Sequence, residues 1–192
     1  MMNTDLRPNK GELEFLSLAY NRFYDVYDEV MNEAFWQRDA WYRFSKIKDG
    51  FAIYSELLNY EPIKWVLEDL KKSRPPMEAE IATDLFKFIR NVVLHFPFFN
   101  SWDDVWISRL VVNWYSEGRS IDKFLNGYTS QQTVKYRFWE VDKKAMTYLS
   151  INFPAEYSDD TKIFLKDILS EKDGIKFSYI LMKKIIDTQV EK

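Results

Sequence analysis

Residues 77–95 read MEAEIATDLFKFIRNVVLH. At 100° per residue, Ile81, Ala82, Leu85, Phe86, Ile89, Val92 and Val93 fill one continuous arc, the pattern of an amphipathic helix packed on a core. Asp84, Lys87, Arg90, Asn91 and His95 fill the opposite arc, with Phe88 and Leu94 as its apolar intruders. Pro75 and Pro76 break the chain before this segment. Phe96 precedes Pro97, and a residue before proline is pushed out of the α region, so the helix is expected over about 77–95.

Working outward, the same periodicity recurs. Leu13, Leu16, Tyr20, Phe23, Tyr27 and Val30 predict a helix from Gly11 to about Phe35. Ala40, Phe44, Ile47, Phe51, Tyr54 and Leu58 predict a second, whose phase Gly50 does not shift. Pro62 suits the first position of a third, with Ile63, Val66, Leu67 and Leu70. After the central helix, Ser101 with Asp104 three residues on is a capping signal for a helix carrying Val105, Ile107, Leu110, Val111 and Trp114. Gly118 and Gly127 bracket a short element around Ile121 to Leu125.

The stretch Thr133 to Val141 reads two ways. Val134, Tyr136 and Phe138 alternate as in a strand, while Val134, Phe138, Val141, Ala145 and Tyr148 keep helical spacing over a longer span, which favours helix. Two more helices are expected near Asp159 to Ser170 and Ile175 to Thr188, separated by Asp173-Gly174. The expectation is an all-α bundle of seven to eight helices forming a single domain over residues 1–192. Its helices of about 130–190 belong either to the core or to an extension from it.

Composition agrees. The 192 residues are 46% hydrophobic and 18% aromatic, enough for a large core, and 5 Gly with 6 Pro leave little material for a turn-rich β fold. The absence of cysteine rules out disulfides, a thiol nucleophile and thiolate zinc sites, and fits a reducing, cytoplasmic setting. No apolar run approaches the roughly 20 residues of a membrane helix. A net charge of -3 means that any attraction to nucleic acid must come from a local basic patch.

His95 is the single histidine, so imidazole chemistry can happen only there. Asp84, Lys87, Asn91 and His95 step by three, four and four along one stripe, and Arg90 flanks it. Arg90 and His95 lie about 140° apart on a regular helix, so their convergence needs the helix to loosen at His95, or a bridging ligand. The run Arg90-Asn91-Val92-Val93-Leu94-His95 resembles the signature of HEPN domains: an arginine, a polar residue, three further residues and a histidine at a helix end. Members of that family are all-helical, usually dimeric, and many are metal-independent ribonucleases of toxin–antitoxin, defence and RNA-processing systems. The resemblance implies His95 as general acid or base, Arg90 as the phosphate-stabilising cation and Asn91 as the residue that orients them. It also implies RNA and a second copy of the chain as partners, with a protein antitoxin where the setting is toxin–antitoxin. An unperturbed imidazole titrates near neutrality and a guanidinium matches phosphate oxygens, which suits those roles. Lys87 and Asp84 are the candidate substrate-binding residues. No metal or cofactor is expected, since one histidine without acidic neighbours makes a poor metal site and no Gly-rich phosphate loop is present.

Plainer readings stand beside these. His95 can cap the helix through the dipole. Arg90 can pair with a carboxylate, Asp84 or one from another helix. Phe96, Phe98, Phe99 and Trp102 are expected in the core rather than stacked on bases. Lys71, Lys72 and Arg74 form a basic cluster that reads as a solvated helix end. The alternative for the whole chain is a non-catalytic helical interaction module, of phage or mobile-element type.

Overall fold

The computed structural model describes residues 8–72, 76–96, 98–112, 118–129, 133–140 and 143–190. Among them are eight α-helices and two antiparallel sheets of two strands each, so the protein is mainly α-helical. No helix among the described residues is long and apolar enough to cross a membrane.

α1 runs Lys10–Met31 and begins at a reciprocal cap. Asn9 Oδ1 accepts from the Glu12 amide at 3.0 Å, and Glu12 Oε2 accepts from the Asn9 amide at 2.7 Å. The helix stops four residues before Phe35, because Asn32 caps a separate 3₁₀ turn over Glu33–Gln37. α2 (Ala40–Leu57) starts on Asp39 and passes unbroken through Gly50. α3 spans Glu61–Lys72 and α4 spans Pro76–His95, as the apolar periodicity predicts.

Four expectations are corrected. Ser101 does cap, accepting from the Asp104 amide at 3.2 Å, but it starts only a 3₁₀ turn over Trp102–Asp104. Strand β1 (Trp106–Ile107) and the one-turn helix α5 (Arg109–Val112) follow in place of a full helix. Trp114 lies outside the described residues. α6 covers Gly118–Tyr128, so the two glycines lie inside that helix.

The second correction is the largest. Residues 133–151 form a hairpin of β2 (Val134–Glu140) and β3 (Ala145–Ile151), with Tyr136 opposite Leu149 and Phe138 opposite Thr147. The two-residue alternation is the one that packs. Tyr136 and Phe138 turn inward onto the Phe177 ring, at 5.4 and 5.8 Å, while Lys135, Arg137 and Trp139 turn out. The competing helical series would have buried Ala145 and Tyr148, and both are exposed.

Third, the Asp159–Ser170 stretch holds strand β4 (Ile163–Phe164), paired to β1, and then the four-residue α7 (Leu165–Ile168). Fourth, α8 (Glu171–Val190) runs through Gly174 instead of starting after it. Gly174 is there for space: a Cβ would lie 2.6 Å from Leu169 Cδ2 and 3.2 Å from the Trp102 ring. Trp102 is buried against this turn and donates its Nε1–H to the Leu169 carbonyl at 3.0 Å.

The core is one continuous cluster drawn from α1, α2, α4, α6, α8 and the inner face of the hairpin. Tyr179 of α8 lies at its centre, fully buried, stacked on Phe23 at 6.2 Å and edge-on to Phe51 at 5.8 Å. Its hydroxyl donates to the Ile47 carbonyl at 3.0 Å, directly over Gly50. A Cβ at Gly50 would meet that hydroxyl at 2.0 Å and its ring carbon at 2.6 Å. Gly50→Ala is therefore expected to lower stability by about 1–3 kcal/mol in urea unfolding, as overpacking does. Adding Tyr179→Phe should recover part of the loss by removing the nearest atom. An unchanged midpoint for Gly50→Ala would refute this packing.

Candidate site on the central helix

α4 is covered on more than its apolar arc. Phe86 stacks on Phe51 at 6.0 Å and meets Tyr54 edge-on at 5.6 Å, tying the apolar arc to α2. On the other side α6 lies antiparallel to α4. Phe88 stacks on Phe124 at 4.6 Å, and one turn further along α4 the Asn91 Nδ2 donates to Ser120 Oγ. The arc expected to be polar and open is thus half interior. Phe88 and Asn91 are buried, and Asp84, Lys87, Arg90, Leu94 and His95 are half-buried along its flanks. Lys87 and Asp84, the candidate substrate-binding residues, sit on those flanks rather than on a free face.

Asn91 occupies the middle of a short relay. It donates to Ser120 and accepts from Arg90 Nε at 3.1 Å. The guanidinium is thereby held at one edge, and its two Nη groups make no hydrogen bond or ion pair with the described residues. The pairing with Asp84 that the plainer reading allows is not formed. Burial lowers the Arg90 pKa, opposed by the Tyr54 hydroxyl nearby. Tyr54 is fully buried, its Oη has no hydrogen-bond partner among the described residues, and burial pushes its own pKa well up. A half-buried cation with no carboxylate beside it among the described residues, next to a phenol that has no partner there, is costly to hold unless an anion or water completes it.

His95 is the last helical residue, half-buried, and makes no hydrogen bond or ion pair with the described residues. Of the two routes to convergence, loosening of the helix at His95 is not seen, since α4 stays helical through it and the chain leaves the helix only at Phe96. Arg90 and His95 therefore remain about 140° apart in one protomer. Surface clefts of 390, 460 and 210 Å³ lie elsewhere, with neither residue in their walls.

The aromatic run after His95 divides. Phe96 and Trp102 are buried as expected, Phe99 is half-buried, and Phe98 is exposed while touching both Phe96 and Phe99. In the basic cluster ahead of α4, Lys72 is exposed and 4.0 Å from Asp69, while the Lys71 side chain and Arg74 lie outside the described residues. Sequence reading missed Ser120 and Tyr54, which only packing brings to Arg90. The i, i+4 spacing of Ser120 and Phe124 on one face of α6 was the available signal.

Comparison of the chain with protein-family models, with curated protein sequences and with solved structures gave no match.

Two substitutions separate structure from function here. Asn91→Leu should cost about 1–3 kcal/mol, because Arg90 Nε and Ser120 lose a buried partner. Arg90→Met should cost no more than about 1–3 kcal/mol, since it leaves the buried Asn91 Oδ1 without its donor but removes a half-buried cation that no carboxylate among the described residues offsets. A large loss of stability in Arg90→Met would mean that the guanidinium is a structural group.

Proposed function

We propose that the chain is a HEPN-like RNA-acting protein of the cytoplasm, a metal-independent endoribonuclease working as a homodimer. One observation carries this reading: Arg90 is fixed at Nε by Asn91, and among the described residues its Nη edge is unspent and no carboxylate takes it. An arginine used only for structure is normally paired; one fixed but unneutralised is suited to a phosphate. Asn91, anchored in turn by Ser120, fits the orienting role that the HEPN resemblance implies.

In the proposed chemistry the ribose 2′-oxygen attacks the adjacent phosphorus, and the bond to the 5′-oxygen breaks. The 2′-hydroxyl proton goes to a base, and an acid protonates the departing 5′-oxygen. The products are a 2′,3′-cyclic phosphate and a 5′-hydroxyl end. His95 serves as base or acid, and Arg90 stabilises the charge on the equatorial oxygens. The angular separation of the two residues explains why a dimer is required. A two-fold axis near the C-terminal end of α4 sets Arg90 of one copy and His95 of the other at the same phosphodiester. A toxin–antitoxin or defence setting, with a protein antitoxin as partner, follows the same resemblance.

The second reading, a non-catalytic interaction module, is favoured by a separate observation. Leu13, Phe15 and Leu18 stand exposed along α1.

Incubation with RNA in EDTA decides between them. Wild type should generate cyclic-phosphate ends. His95→Ala should cut at least about a hundredfold more slowly, and Arg90→Lys should also lose activity because it keeps charge without the planar fork. Intact RNA with wild type, or equal cleavage by His95→Ala, defeats the nuclease and leaves the interaction module.

A further inference from the structure

The hairpin has an outer face that is exposed to solvent. Register places Lys135 opposite Ser150, Arg137 opposite Tyr148 and Trp139 opposite Met146 on that face. Trp139 is 52%, Tyr148 63% and Met146 45% exposed, so three large apolar groups lie side by side in water. Single exposed apolar residues are ordinary, but a contiguous cluster marks a binding surface. Lys135 and Arg137 alternate with Trp139 along β2, and none of these six outer-face residues is acidic. Glu140 points inward, where it is held by Lys143 at 2.8 Å.

The turn adds a further cation. Lys144 adopts φ 47°, the left-handed region where glycine or asparagine is less strained. The positive charge stands out against a chain whose net charge is -3.

We propose that this outer face binds single-stranded nucleic acid, with bases stacked on Trp139 and Tyr148 and phosphates met by Lys135, Arg137 and Lys144. Flat rings interleaved with cations suit unstacked bases on a polyanionic backbone. A duplex, whose bases are already stacked, offers the rings nothing. The inference stands on the hairpin alone and holds whether or not His95 cuts.

The test is fluorescence anisotropy of a labelled, unstructured oligonucleotide with the full chain across a salt series. Wild type should bind RNA and DNA single strands, weaken as salt rises, and prefer them to the matching duplex. Trp139→Ala and Tyr148→Ala should each weaken binding about five- to hundredfold. Lys135→Glu with Arg137→Glu should weaken it about tenfold or more and lower the salt slope by about 1.4, two contacts' worth. All four side chains are solvent-exposed, so circular dichroism should match wild type. No binding by wild type at low salt overturns the proposal, as do equal affinity for duplex and unchanged affinity in the hairpin variants. A dimer that dissociates on Trp139→Glu, with no oligonucleotide bound, overturns it in favour of a second copy on this face. Binding kept by His95→Ala and by Arg90→Met, with no cleavage by wild type, supports this surface and removes the proposed nuclease. Cleavage by wild type with undiminished binding in the hairpin variants does the reverse.

Discussion

The Tyr179 side chain crosses α2 at Gly50, and the rest of the interior is arranged around that crossing. Its hydroxyl reaches the Ile47 carbonyl and its ring meets Phe23 and Phe51. The approach is possible because position 50 has no Cβ. Burial pushes the Tyr179 pKa far up, so the group stays a neutral donor and the contact persists across ordinary pH. With α8 set against α1 and α2 in this way, Phe177, two residues earlier on α8, becomes the surface on which the hairpin rests.

That arrangement makes α4 a helix with neighbours on both sides. α2 takes its apolar arc, and α6 takes Phe88 and Asn91 from the arc that carries the polar residues. The candidate site is therefore built from residues that are partly structural. Asn91 bonds both Ser120 and Arg90, the outer edge of Arg90 is unpaired among the described residues, and His95 stands at the helix end. Arg90 draws its setting from α2 and α6 as much as from its own helix, through Tyr54 and the Asn91–Ser120 bond. The hairpin repeats this division of labour on its two faces. Its inner aromatics lock onto α8, while Trp139 and Tyr148 on its outer face stay exposed.

Long amphipathic patterns gave helices along the first half of the chain and in α8, although the equally periodic series from Val134 to Tyr148 folds as a hairpin. α1 from Leu16 onward, α2, α3, α4 and most of α8 follow the apolar spacing, because three or more turns of one-sided hydrophobicity leave a single economical way to be buried. Short segments were less legible. Val134, Phe138, Ala145 and Tyr148 satisfy a helical period and Val134, Tyr136 and Phe138 a strand period, and nothing local decides between them. The deciding contact is Phe177, about forty residues away in the chain. The same holds for β1 and β4, which exist only because Trp106 and Phe164 find each other across the chain.

From its sequence alone, the chain determines a mainly helical architecture, the position and extent of α4, and the presence of Arg90, Asn91 and His95 on it. Periodicity and proline placement are local properties, so these need no partner to be read. Tertiary structure alone decided that the polar arc is half covered, that Asn91 is spent on Ser120, that Arg90 faces Tyr54, and that residues 134–151 pair as strands. Each of these depends on which distant surface a side chain meets, and burial is settled by the whole packing rather than by neighbours in sequence.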